Sequence, residues 1–118
     1  MLSFAGSLKV FLALEPVDMR KGFSGLMGIA CERLGEDPRN GALLVFTNRR
    51  RTRLKMLYFD GSGLWLLCKR LERGTFSWPD LASAADGKLR LRAEALAMLT
   101  DGIDLRGAAM RPWYRRES

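Results

Sequence analysis

The apolar positions of this chain repeat with two periods. Residues 8–14, LKVFLAL, are dense in strand formers and are closed by Pro16, which predicts a first strand. Asp18 then stands where a helix N-cap would. From Phe23 onward, Leu26, Met27, Ala30, Cys31 and Leu34 recur at steps of three and four, and this stripe predicts a helix over 19–34. Gly35 follows it in the place of a left-handed C′ residue. Gly22, Gly25 and Gly28 each disfavour helix by about 1 kcal/mol relative to alanine. They imply close packing on a sheet, or room for something at the first turn.

The rest of the chain reads in the shorter period. The turn cluster EDPRNG (36–41) precedes predicted strands at 42–47, 53–60 and 63–71. Their links are Asn48 to Thr52 and the tight-turn signal Asp60-Gly61-Ser62-Gly63. Glu72-Arg73-Gly74 marks a third turn, and Thr75 to Trp78 is a candidate edge strand closed by Pro79. Residues 88–91 alternate as a short strand. Residues 93–99 predict a short helix that buries Ala95, Leu96 and Leu99 and stops at Asp101-Gly102. Short links favour antiparallel neighbours. The expected fold class is therefore α+β: a single domain over 1–105, with an antiparallel four- to five-stranded meander sheet, one packed amphipathic helix and a short C-terminal helix. Residues 106–118 are expected to be a basic, flexible tail.

Length and composition narrow the function. A chain of 118 residues suits one core, and 47% apolar residues exclude a disordered chain. No apolar run approaches the roughly 20 residues a membrane span needs. The start MLSFAGSLKVFLAL lacks a basic n-region and contains Lys9, so a cytoplasmic location is expected. The chain has no histidine, which removes the usual general base and the Ser/His and Cys/His nucleophile pairs. Cys31 and Cys68 are far apart and lie in apolar segments, so buried free thiols are expected rather than a disulfide or a zinc site.

Charge is unevenly placed. The net charge is +7. Residues 1–46 balance, with five Lys/Arg and five Asp/Glu, whereas residues 47–75 hold eight against two, a surplus of six. Arg49, Arg50, Arg51, Arg53 and Lys55 fall within seven positions. In a hairpin that turns at residues 61–62, position 53 faces about position 70, so Lys69, Arg70 and Arg73 join the same end. Like charges placed opposite one another destabilise a sheet unless a counter-ion is present. A solvated strand end that discourages aggregation is the plainer reading. The dominance of arginine favours anion or nucleic-acid contact, because its planar fork matches phosphate and stacks on bases.

Other candidates are weaker. Arg20 and Lys21 at a helix start oppose the helix dipole, and a bound phosphate would reverse that penalty. On the residues alone, Asp18 as a cap paired with one of them is the favoured account. Phe4, Phe11, Phe23, Phe46, Phe59 and Trp78 are most simply core; Tyr58 and Trp65 are expected to be buried, and stacking platforms are the alternative. Trp113-Tyr114 lies in the basic tail. Asp60, Asp80, Asp86, Asp101 and Asp104 are better explained by turns and helix ends than by metal-dependent phosphoryl chemistry, so neither a catalytic residue nor a metal site nor a cofactor is expected.

Three segments resemble a known family: VDMRKGFSGL (17–26), GALLVFTNRRRTRLKMLYFDGSGLWLLCKRLERGTFSWP (41–79) and LRLRAEALAMLTDGID (89–104). They look like the accessory protein of the insertion-sequence sixty-six family, the TnpB type encoded by the element's second open reading frame. The resemblance spans roughly residues 8–104. It implies a non-catalytic role in transposition and favours a functional part for Arg20 and Lys21. The sequence departs from the family pattern at Tyr58-Phe59, at Arg51-Thr52, and at Arg92, where a hydroxyl residue often caps the last helix. The expectation is a non-enzymatic transposition factor whose basic ribbon contacts duplex DNA or the transposase–DNA complex. That ribbon comprises Arg49, Arg50, Arg51, Arg53, Lys55, Lys69, Arg70 and Arg73, extended by Arg20 and Lys21. The alternatives are a module that docks on the transposase without binding free DNA, and an enzyme relying on Asp60 or Asp18.

Overall fold

The computed structural model describes residues 8–102 together with Tyr114–Arg115. Its centre is strand β2, Ala42–Thr47, in which every residue is buried. ALLVFT has no polar alternation, as expected of a strand covered on both faces. On one side β2 pairs in parallel with β1, Lys9–Ala13, in the register Lys9↔Ala42 to Leu12↔Val45. On the other it pairs antiparallel with β3, Arg53–Phe59, which in turn pairs antiparallel with β4, Leu64–Arg70. Strand β5, Lys88–Leu91, returns antiparallel beside β1, and the two-residue β6, Tyr114–Arg115, pairs with β5. The order is β4-β3-β2-β1-β5-β6.

The sheet is thus mixed, and the all-antiparallel meander expected from the short links is corrected at one point. A parallel pair needs a crossover of a dozen or more residues, and the 14–41 connection with its helix is long enough to provide it. That helix is shorter than the apolar stripe predicts. Helix α1 covers Phe23–Gly28 and widens into a single π-helical stretch over Ile29–Arg33, where Leu34 N–H reaches back to the Ile29 carbonyl (3.1 Å). Gly35 ends it with φ +68°, as its position predicted. Leu26, Ala30 and Leu34 pack on Phe11, Leu44, Phe46 and Leu57 to form the core of one sheet face. Phe23, expected in that core, is 48% exposed.

The other face is covered by helix α2, Ala93–Thr100, and by an extended segment that carries Phe76 and Trp78. Ala95, Leu96 and Leu99 are buried as expected. Thr75 to Trp78 does not form the predicted edge strand. Its backbone is held by the loop before β3, with Phe76 N–H donating to the Arg51 carbonyl (2.7 Å), while the Trp78 indole donates to the Ala13 carbonyl (2.9 Å). The sheet therefore has a core on each side and leaves β4 at the rim. No helix among the described residues is long and apolar enough to cross a membrane. Phe4, Trp113 and, apart from β6, the 106–118 tail lie outside the described residues.

Candidate nucleic-acid interface

The loop between β2 and β3 is built by one asparagine. The Asn48 side-chain oxygen accepts from the Thr52 and Arg53 N–H groups (2.9 and 3.1 Å), and its amide donates to the Thr52 hydroxyl (3.1 Å). The Thr47 hydroxyl closes the strand end by donating to the Arg53 carbonyl (2.9 Å). This side-chain bonding substitutes for ladder bonds and fixes the loop without glycine. Arg49 and Arg50 are left on its exposed crest.

Arg51 behaves differently from its neighbours. It sits at φ 59°, the only positive φ at a non-glycine residue among those described. This backbone turn directs it inward, and its guanidinium donates to the Trp78 carbonyl (3.3 Å). Arg51 thus braces the loop against the second core.

The β3–β4 hairpin has the register expected from its turn, with Arg53 directly opposite Arg70 and Lys55 opposite Cys68. Directly opposed residues share a face, so Arg53, Lys55, Cys68 and Arg70 lie on the α1 side of the sheet. Lys69 is opposite Leu54, on the other side, where its ammonium lies 3.7 Å from the Asp101 carboxylate. The expected ribbon is therefore divided between two faces. Arg73 stays at the same end of the sheet. Leu71 N–H and Phe76 N–H donate to the Thr52 and Arg51 carbonyls, which holds the 72–75 turn beside the arginine loop.

The loop from Val17 to Gly22 lies across the same α1-side end. Val17 N–H donates to the Thr47 carbonyl (2.9 Å), and the Lys55 ammonium donates to the Lys21 carbonyl (2.8 Å). Together they form a shallow depression of about 430 Å³ lined by residues including Met19, Arg53, Lys55, Cys68 and Arg70. Lys21 stands exposed beside it. Gly25 has a local reason: a Cβ there would lie 3.2 Å from Cβ of Lys21, so glycine leaves room for the lysine stem. At Gly22 and Gly28 an added Cβ would meet nothing within 4 Å, so neither serves the close packing that the sequence implied.

Asp18 is not the helix cap; that position belongs to Gly22. The Asp18 carboxylate accepts from the Arg20 backbone N–H (2.9 Å) and grips the Arg20 guanidinium through both oxygens (2.7–3.1 Å). These hydrogen bonds from Arg20 lower its pKa to about 2 and raise that of Arg20. Arg20 therefore carries its own counter-ion. Among the described residues, no carboxylate lies within ion-pair distance of Lys21, Arg49, Arg50, Arg53, Arg70 or Arg73. Two arginines directly opposed, without a carboxylate, form a site whose electrostatics improve when an anion arrives.

The far end of the hairpin is the reverse. Asp60 accepts from the Ser62 N–H and hydroxyl and the Gly63 N–H, and its second oxygen accepts from the Trp65 indole (2.7 Å). Those bonds, that from Trp65 foremost, push its pKa far down. Asp60 organises a turn. Among the described residues, no group of three or more acidic or cysteine side chains converges as metal ligands would. Trp65, expected to be buried, is 45% exposed, and Cys68 is exposed rather than a buried thiol.

Comparison with known proteins agrees with the motifs. A family model described as IS66 Orf2 like protein matches residues 8–110. Two curated proteins of Sinorhizobium fredii are similar over nearly their whole lengths, and both are described only as uncharacterized. One, y4jC, is 35% identical over 115 residues, covering 98% of this chain and 96% of its own. The other, y4hO, is 39% identical over 106 residues, covering 90% of each. No solved structure matches the chain.

Proposed function

The chain belongs to the IS66 Orf2-like family, whose role at an insertion sequence is an accessory one, and from that premise we propose that it binds element DNA through the unpaired arginines at one end of its sheet. The observation that carries this reading is the Arg53–Arg70 pair, opposed in register and lacking any carboxylate among the described residues. Arg49 and Arg50 extend the surface from the loop crest, and Lys21 extends it from the helix side. Arg73 completes the same end. Arg51, Lys55, Lys69 and Arg20 already have protein partners, so they shape or flank the surface rather than form it.

Such contacts are directed at phosphates. They position a duplex without reading its sequence, and each releases condensed counter-ions. The protein's part is to hold or present DNA within the transposition machinery of its element.

The experiment is a mobility shift with duplex DNA from the element, using wild type and the Arg49/Arg50/Arg53/Arg70→Ala variant, each with and without the transposase. Binding by wild type, lost by about a hundredfold or more in the variant at unchanged Tm, is the expected result. If wild-type protein ignores DNA but co-purifies with the transposase through the same four arginines, the surface docks on an acidic protein face and the DNA reading is wrong.

A further inference from the structure

Strand β4 is the rim of the sheet, and among the described residues nothing pairs with its outer edge. Two bonds fix which groups face outward. Leu71 N–H donates to the Thr52 carbonyl and Asp60 N–H to the Gly63 carbonyl, so the hydrogen-bonded pairs of the hairpin contain residues 63, 65, 67, 69 and 71 of the β4 side. Leu64, Leu66, Cys68 and Arg70 therefore turn their N–H and C=O groups away from β3.

This edge lacks the usual protections. The register runs unbroken from Arg53↔Arg70 to Phe59↔Leu64, so no bulge twists it away, and 64–70 contains no proline. Its only charges are Lys69 and Arg70, both at one end, while Leu64 and the half-exposed Trp65 occupy the other. An edge that is cationic at one end and apolar or aromatic at the other is complementary to itself when turned end for end.

We propose that β4 pairs antiparallel with β4 of a second copy of this chain, about a two-fold axis at Leu67. In this register Arg70 of each copy meets Leu64 of the other and Cys68 meets Leu66, so all four outward-facing residues are hydrogen-bonded. Lys69 of each copy lies opposite Trp65 of the other, a cation beside an aromatic ring whose indole N–H is bound to the Asp60 carboxylate. No like charges oppose. A shift by two residues in either direction leaves outward-facing groups of 64–70 without partners, and parallel pairing would set the cationic ends side by side. An extended segment of another protein is a poorer match, because an acidic strand would find only two cations beside an apolar centre. The two-fold axis keeps both cationic depressions on one face, with their Arg70 positions about 20 Å apart along the strands.

The inference is independent of DNA binding, and its test needs no DNA. Sedimentation of the full chain at micromolar concentrations should show a dimer, and Cys68→Pro, which removes an outward N–H, should give a folded monomer. Leu67→Cys in a Cys68→Ser background should cross-link on oxidation, because the axial pair is a narrow one with Cα atoms about 4.5 Å apart, within disulfide range. Trp65→Cys in the same background should stay uncross-linked. If Cys68→Pro fails to fold, the cross-linking pair still decides. A monomeric wild type, a dimer that Leu67→Cys does not cross-link, or a monomer that pairs only with the transposase through this edge would each overturn the proposal.

Discussion

The cations of this protein fall into two populations. Outside the hairpin, Arg20 has Asp18, Arg39 has Asp37 and Lys88 has Glu36 at close range. Around the β3–β4 hairpin, Lys69 aside, no carboxylate among the described residues reaches the cations, and Arg53 and Arg70 face each other directly. A chain that supplies local carboxylates to one set had the means to supply them to the other. The difference teaches that the hairpin surplus is not a general basic bias. Leaving the opposed arginines without a carboxylate comes at a modest cost in sheet stability.

The sharpest test of the paired population is Lys88→Met. The Lys88 side chain is only 15% exposed, and its ammonium donates to Glu36 and to the Leu34 carbonyl at the end of the π-helical stretch, 5.3 Å from the Phe11 ring centroid. Removing it strands a half-buried carboxylate and a helix-end carbonyl, so chemical denaturation should show a loss of about 1–3 kcal/mol, with DNA affinity unchanged.

Next is Arg51, a paired residue inside the unpaired cluster. Arg51→Ala should lower stability by about 1–2 kcal/mol through the lost bond to the Trp78 carbonyl and leave DNA binding within about threefold. Arg51→Gly should be the milder change, because φ 59° suits glycine. A large loss of binding without loss of stability would move Arg51 back into the surface.

Asp18→Asn should have a smaller effect. The folded-state pKa of about 2 lies below the ordinary 3.8, so the Asp18–Arg20 contribution is present above about pH 4 and fades as pH falls toward about 2. Thermal melts of wild type and variant should therefore differ slightly at neutral pH and converge in acid. Freeing Arg20 beside Lys21 should steepen the salt dependence of DNA binding by at most about one phosphate. Smallest is Arg92→Ser. Arg92 caps α2 without a side-chain bond, and a hydroxyl there should raise stability by about 0.5–1 kcal/mol without touching affinity.

Much of this was legible in the chain. The DGSG turn fixes the hairpin register, so the opposition of Arg53 and Arg70 follows from counting along the strands. Gly35 and the Ala95, Leu96, Leu99 face were equally plain, because cap and period signals are local. The parallel β1–β2 pair was hidden because strand patterns carry no direction; only the length of the 14–41 connection hints at a crossover. The role of Arg51 depends on a backbone turn and a carbonyl 27 residues away, which no local pattern encodes. Lys55 and Lys69 read as free cations for the same reason: their partners, the Lys21 carbonyl and Asp101, are distant in sequence.

The most direct measurement is the salt dependence of duplex binding by anisotropy. With about five phosphates neutralised by the unpaired cations, log K should fall against log salt with a slope near −4 to −5, and Arg53/Arg70→Ala should reduce that slope by about 2. A slope that is flat in wild type, or unchanged when the opposed pair is removed, would contradict the account.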